Sequence, residues 1–367
     1  VTEVWEILRA FASFGFCKAH AAAFALPTYQ SSWLKTHHTA AFLAGVLTHE
    51  PGMYPKRVIL DEARQWGIQI APIDVNLSDA TYRVEKSSKE TRAPYLAPNV
   101  LSSGAKLKLP DARGFAIRMA LSDIDGIDSK EVKSIISGRP YLDLADFVYR
   151  SGASRPTTES LLMVGAFDDL HKLSTSNINR RDLLLHLQDL YRLAGSKSTT
   201  SQSQMTFELQ PSRLEPSGLP DITASEQVKN EIDILGMDVS SHLLEFYGEF
   251  LNSIGAVRSS DLIKHRSGTS VLVAGVKIAL QTPPVRSGRR VMFLTIDDGH
   301  GCNDITFFED KQADFASVLR NSWLFLVRGE IRRTGPRGIS LLGTGAWELA
   351  NSYEKWRNLA VYGASAT

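Results

Sequence analysis

The sequence predicts a multidomain α+β protein: a helical first part, a tandem pair of helical hairpins, and a C-terminal five-stranded barrel. Three observations carry this. Apolar residues recur at helical spacing through most of residues 1–70. Between residues 115 and 170, short helical stretches alternate with glycine turns. From Ser270 to Leu349 alternating strands take over, with one helix-like stretch after the third.

Val4–Ser13 and Ala19–Leu47 are rich in Ala, Leu and Phe and predict two helices. Pro27 is expected to kink or break the second, because its ring removes a backbone donor. Pro51, Gly52 and Pro55 mark a turn, and Arg57–Gly67 predicts a short amphipathic helix closed by its glycine. Pro72, Pro94, Pro98 and Pro110 then punctuate short alternating pieces, Tyr82-Arg83-Val84 and Lys106-Leu107-Lys108-Leu109, which predict a small irregular β region. Asp125-Gly126 and Ser151-Gly152 are the turn signals of the hairpin region. Ile178–Leu193 predicts one amphipathic helix, and Ser196–Pro220, rich in Ser, Thr, Gln and Pro, predicts a linker. Helix-like sequence over 225–265 leads to strands at Val271–Leu280, Arg290–Asp297, Asp304–Phe308, Trp323–Ile331 and Ile339–Trp347. Lys311–Leu319 is the helix after the third strand, which is the order of an OB-fold. The expected divisions are 1–75, 76–114, 115–172, 173–265, 266–350 and a tail of 351–367.

Net charge over 367 residues is +1, so composition alone does not point to nucleic acid. Any basic surface must be local. No apolar run is long enough to span a membrane. Cys17 and Cys302 form neither a disulfide framework nor a zinc-ligand spacing, and a reducing cytoplasm is the simpler expectation. The opening Val1 leads us to expect that the chain begins partway through a longer protein.

Ser122–Lys130 reads as the turn of a helix-hairpin-helix. Gly126 permits the sharp turn, and the backbone N–H groups starting the next helix can face a phosphate. Ile127, Ser129, Lys130 and Lys133 complete this candidate duplex contact. Asp123, Asp125 and Asp128 oppose it, and a plain helical bundle with a glycine turn is the alternative. Leu144–Phe167 repeats the layout, with Pro156 near a helix start. In the barrel, Arg286, Arg289 and Arg290 near the first loop and Arg328, Arg332, Arg333 and Arg337 near the last two strands interleave with Phe293, Phe307 and Phe308. Cations that track a backbone and rings that stack bases make a single-strand site of this kind. For most of these phenylalanines the barrel core is the competing and favoured place. Gln202, Met205 and Phe207 have the Gln-x-x-Met-x-Phe spacing that resembles peptides that bind the bacterial sliding clamp. Lys18 and His20 are candidates for phosphate contact, whereas His37 and His38 read as a solvated face. Asp297-Asp298 before Gly299 reads as turn chemistry, not metal binding. We identify no catalytic carboxylate constellation, nucleophile or phosphate loop.

Several segments resemble one family. Gly15–Ala25, with Tyr29-Gln30 and Trp33-Leu34-Lys35, resembles the fingers segment of bacterial DNA polymerase III alpha subunits, the C-family. Pro72–Asn76 is similar to the segment that follows it there. Leu161–Phe167 resembles the end of that family's tandem helix-hairpin-helix domain, and Glu231–His242 resembles its approach to the OB domain. Thr48–Pro55 and Arg64–Ile68 look like the error-prone translesion branch. Cys17 stands where replicative relatives are expected to carry Asn, and the loop Gln281–Arg290 is unlike the family's.

The resemblance implies a C-terminal portion of a polymerase, comprising part of the fingers, the hairpins and the barrel. It implies primer-template DNA and single-stranded template as partners, with the sliding clamp and other mutasome proteins as further ones. The Mg2+ ions of the parent enzyme would be held by palm aspartates upstream, leaving no cofactor or catalytic residue here. The competing expectations are an interaction scaffold with weak DNA affinity, or the same region of a replicative alpha subunit.

Overall fold

A computed structural model describes residues 2–6, 18–50, 52, 54–87, 112–197, 214–283, 290–333, 335 and 338–364. The first long helix, α1 (Lys18–His37), runs straight through Pro27. The expected break falls instead at His38, before α2 (Thr39–His49). α1 buries none of its residues, so the carbonyl that Pro27 cannot bond is open to water and the helix tolerates the proline. His37 and His38 are exposed, but both rings pack on Trp33, with centroids at 4.6 and 5.5 Å.

α3 (Lys56–Gln65) follows the Pro55 turn, and Gly67 ends it at φ +80°. The irregular β region is a three-stranded sheet of β1 (Gln69–Ala71), β2 (Arg83–Lys86) and β3 (Phe115–Arg118). β3 is central, parallel to β1 and antiparallel to β2. The expected strand at Lys106–Leu109 lies outside the described residues.

The hairpins are α4 (Ser129–Ser137), α5 (Leu144–Arg150) and α6 (Arg155–Met163), with α7 (Arg180–Lys197) packed across α5 and α6. Gly126 at φ +78° and Gly152 at φ +68° make the two turns. Glu131 of the first hairpin accepts from the Ser154 N–H at 2.7 Å and the Thr157 hydroxyl at 3.0 Å, which ties the second hairpin to the first. Asn76 exchanges hydrogen bonds with the Tyr141 backbone at 3.0 and 2.8 Å and joins the pair to the sheet segment. Tyr141, Phe147 and Phe167 stack edge to face beneath them, with centroids at 4.8 and 5.0 Å. One apolar core runs from Ala40 to Val239, so residues from α2 through α8 (Ala224–Leu235) form one helical body.

The C-terminal unit is a closed barrel. β4 (Ser270–Gln281), β5 (Met292–Asp297), β6 (Cys302–Phe307), β7 (Leu324–Arg333) and β8 (Ile339–Glu348) close in the order β4-β5-β6-β8-β7. The helix α10 (Glu309–Asn321) lies between β6 and β7 and follows α9 (Gly248–Ser253) in the chain. Val273, Leu294, Ile296, Ile305, Phe307, Phe325 and Val327 point inward at the period of two that a strand imposes. A last helix, α11 (Leu349–Ala364), sets Tyr353 and Trp356 against Tyr247 and Phe250 on the barrel's flank.

Candidate nucleic-acid interface and the joint that holds it

The outer face of β5 carries Phe293, Thr295 and Asp297 in sequence. Its two ends differ. Phe293 is 43 % exposed, whereas Asp297 is 1 % exposed because the helical body covers it. Across the sheet, Phe293 pairs with Thr306 on β6, and Thr306 pairs with Leu342 on β8. Leu342 pairs with Glu330 on β7, and two residues on from Glu330 is Arg332, exposed on the same face. An aromatic ring and a guanidinium thus both stand open on the barrel's outer surface, on β5 and β7, near the first and last barrel loops. Arg290 is exposed at the edge of the first loop, while its carbonyl accepts from Gln312 at 2.7 Å.

The remaining barrel residues separate. Phe307 is core, as expected for most of the phenylalanines, but Phe293 and Phe308 are open. Arg328 lies over the Trp347 ring at 5.7 Å, a ring the sequence reading did not single out. Arg333 donates to the carbonyl of His265 at 2.7 Å and to that of Ile263, so it serves the fold. Arg286, Arg289 and Arg337 lie outside the described residues, as do Gln202, Met205 and Phe207.

The first hairpin differs from expectation. Lys130 and Lys133 are exposed on α4, Gly126 and Ser129 are exposed, and Ile127 packs against the core. The N–H groups expected to face a phosphate are taken by the chain itself. The Asp128 carboxylate caps α4, accepting from Glu131 N–H at 3.1 Å and from Lys130 N–H, and these bonds hold its pKa below the usual range. Lys18 and His20 lie exposed on α1, where the His20 ring packs on Phe24 at 4.6 Å.

The covered end of β5 is a polar joint. Arg57 of α3 meets Asp297 at 3.2 Å, with both side chains more than nine-tenths buried. Asp297 also accepts from Gly299 N–H at 3.0 Å, and Asp298 accepts from His300 N–H at 3.0 Å, so the Asp-Asp-Gly stretch is a turn as expected. Asp298 reaches further and binds the Ser259 N–H and hydroxyl at 2.6 Å each. Gly299 sits at φ +76°, and a Cβ there would lie 2.8 Å from the His242 ring. Arg64 donates to the carbonyls of Asp238 and Val239 at 3.0 and 2.9 Å and pairs with Asp61. Buried Glu231 accepts from the N–H groups of Val239 and Ser240 at 2.8 and 2.9 Å. Residues 231–242 thus connect the two units. A cavity of about 410 Å³ opens beside them, lined by Asp61, Arg64, His242, Arg258 and His300.

Asp61, His242 and Asp297 bring three potential metal-ligand atoms within 4.8 Å of one another. The ring of His242 argues against an ion. Leu244 N–H donates to Nδ1 at 3.2 Å, so Nδ1 carries no proton and the ring proton sits on Nε2, the atom facing Asp297 at 3.6 Å. A protonated Nε2 is not a ligand, and the guanidiniums of Arg57 and Arg64 already face the carboxylates. Burial opposes a charge on His242, and Asp297, Asp61 and Asp238 favour one, raising its pKa; the Leu244 bond nevertheless requires the neutral ring. Burial pushes the Asp61 carboxyl up to about 7. Burial acts the same way on Asp297, but His242, Asp61 and Arg57 outweigh it and hold that group at about 2.

Comparison with known proteins agrees with this architecture. Residues 67–183 match the helix-hairpin-helix motif family, and residues 271–349 match the OB-fold nucleic acid binding domain family. The chain therefore carries two modules of nucleic-acid-handling proteins. It is a homologue of part of the bacterial error-prone DNA polymerases and DNA polymerase III alpha subunits, as its motifs led us to expect. It is 32% identical over 339 residues to the error-prone DNA polymerase of Symbiobacterium thermophilum, covering 86% of this chain and 30% of that one. To the error-prone DNA polymerase of Bdellovibrio bacteriovorus it is 29% identical, covering 91% and 30%. To DNA polymerase III subunit alpha of Haemophilus influenzae it is 26% identical, covering 90% and 27%. The chain thus spans under a third of these relatives' length. Among solved structures, the mitochondrial single-stranded DNA binding protein Rim1 of S. cerevisiae matches 22% of this chain and 95% of its own. That match has 16% identity and a TM-score of 0.19. No helix among the described residues is long and apolar enough to cross a membrane.

Removing one partner of the buried pair leaves an unpaired charge. Arg57→Ala should cost about 3–5 kcal/mol, and Arg57→Met with Asp297→Leu together should cost less than Arg57→Ala alone. Urea unfolding of the full chain followed by tryptophan fluorescence checks both.

Proposed function

We propose that this chain is the DNA-holding, non-catalytic segment of an error-prone DNA polymerase acting in translesion synthesis in the cytoplasm. The observation that carries the reading is the outer surface of the barrel, which carries exposed Phe293 and Arg332 on a nucleic-acid-binding type of fold. There a single-stranded template would stack a base on Phe293 while Arg332, Arg290 and the loop residues Arg286 and Arg289 neutralise its phosphates. Lys130 and Lys133 on α4 would add charge against the duplex. Mg2+ and the carboxylates that hold it belong, in this reading, to the remainder of the polymerase.

The runner-up is an interaction scaffold with weak DNA affinity. Two observations favour it: Asp128 fills the helix start that a phosphate would use, and α1 exposes Phe24, Leu26, Tyr29 and Trp33. Salt separates the two. Single-stranded oligonucleotide affinity should fall steeply with salt, log K dropping by roughly 0.7 per phosphate contact against log salt. Phe293→Ala should weaken binding by about 1–3 kcal/mol, and Arg332→Ala should flatten the salt slope by roughly 0.7. Fluorescence anisotropy reads both, and no binding at low salt would leave the scaffold.

Incubated with primed template, deoxynucleotides and Mg2+, the chain should extend no primer; extension on a sequencing gel would mean that a catalytic centre lies within it. Gln202, Met205 and Phe207 are proposed to contact a sliding clamp. Phe207→Ala should then weaken clamp binding measured by surface plasmon resonance, and unchanged affinity would retire the idea.

A further inference from the structure

The joint between helical body and barrel holds more ionisable groups than its two arginines neutralise. From α3 come Arg57, Asp61 and Arg64; from the connecting segment come Asp238 and His242; from the β5–β6 turn come Asp297, Asp298 and His300. The last two are already engaged outside the centre, Asp298 with Ser259 and His300 with Arg258 at 2.7 Å. That leaves two guanidiniums against the carboxyls of Asp61, Asp238 and Asp297, all at most 2 % exposed. His242 does not supply the missing positive charge, because Nδ1 accepts the Leu244 N–H. An unbalanced buried charge is costly, and a carboxyl in that position takes a proton instead. One atom is placed for it. Asp61 Oδ1 faces Arg64, but Asp61 Oδ2 is buried without a hydrogen-bond partner, and the Asp61 carboxyl clusters with Asp297 and His242 within 4.8 Å.

We propose that Asp61 and Asp297 share one proton, carried on Asp61 Oδ2, and that this proton closes the joint between the helical body and the barrel. With it the joint is neutral: Arg57 and Arg64 balance Asp297 and Asp238. Without it two carboxylates confront each other out of reach of water. Burial raises the Asp61 carboxyl from its ordinary 3.8 to about 7. The pair titrates as a unit, so this value belongs to the pair.

The sign follows from linkage. In the opened joint Asp61 meets water and titrates near 3.8; in the closed joint it titrates near 7. Between those values only the closed form holds the proton. Opening therefore grows easier as pH rises across that window, by at most about tenfold per pH unit, and levels off above it. A proton on His242 would give the opposite placement, level below its ordinary value of 6.5 and rising above.

Hydrogen exchange of the full chain, corrected for the intrinsic rate and followed in peptides covering 238–247 and 296–301, tests this. We expect opening to rise about fiftyfold between pH 5 and 7 and to level off by pH 8. Asp61→Asn keeps the shape and supplies a permanent N–H donor. It should hold the joint closed and remove the pH dependence, leaving the variant better protected than the parent at pH 8. An infrared band of a protonated carboxyl at pH 6, lost in Asp61→Asn, would place the proton directly. A pH-flat parent, a rise confined above pH 7, or an Asp61→Asn joint that is looser at every pH would overturn the proposal. The first two outcomes are read on the parent protein and stand even if the variant does not fold.

Discussion

Everything the barrel can present depends on one buried carboxylate at the end of β5. Asp297 lies on the outer face of its strand, where a side chain would ordinarily meet water, and the helical body covers it. Such a group cannot be docked loosely. It needs Arg57 at 3.2 Å, the Gly299 N–H at 3.0 Å and the His242 ring alongside, and each comes from a defined place in the fold. A well-packed apolar contact of the same size would hold the two units together at least as well. What the charge adds is direction: a barrel rotated by one strand would bury Asp297 against nothing able to compensate it. The apolar contact of Tyr353 and Trp356 with Tyr247 and Phe250 supplies adhesion, which is less choosy about angle.

Because side chains alternate along a strand, the same face that ends in Asp297 begins, four residues earlier, in Phe293. At about 3.3 Å per residue the two are some 13 Å apart along one rigid element. Fixing Asp297 against α3 therefore fixes where Phe293 points relative to the hairpins, with no loop between. The near-zero formal charge takes on a different meaning here. Many acidic groups are tied to partners within the chain: Asp123 to Lys56 at 2.7 Å, Asp128 as a helix cap, Glu131 between hairpins, Glu231 beneath residues 239–240. Several arginines are spent likewise, on Asp297, Glu85 and Asp168. The sum over the sequence says little about the sign of any exposed face.

The barrel and the hairpins were legible because their signals are local; of the small sheet only β2 was, since its central strand β3 falls in the stretch read as helical. Strand alternation, Gly126 and Gly152 at turns, and a helix between the third and fourth strands each sit within a dozen residues. The joint was not legible, for a physical reason. Arg57 and Asp297 are 240 positions apart, and neither has a neighbour that marks it as buried. The Asp-Asp-Gly stretch did announce a turn, and correctly; that the first Asp also anchors another unit has no local sign. Pro27 misled in the other direction. A proline breaks a helix whose carbonyls must be satisfied internally, and α1 is exposed along its length. The segment Glu231–His242 was noticed only through family resemblance, and it connects the helical body to the barrel.

The hairpins show how the same carboxylates bear on what can be bound. A helix start is a ready anion site only while its N–H groups are free. In α4 a tethered carboxylate, Asp128, already occupies them, and at α6 the Ser154 N–H and Thr157 hydroxyl are held by Glu131. A phosphate arriving from solution would have to displace an anion of this chain that pays no association entropy. Of the two modules, the hairpin pair is thus internally satisfied and the barrel face is not. Phe293 and Arg332 stand open on a surface whose orientation the joint fixes, and the hairpins are the frame that holds it.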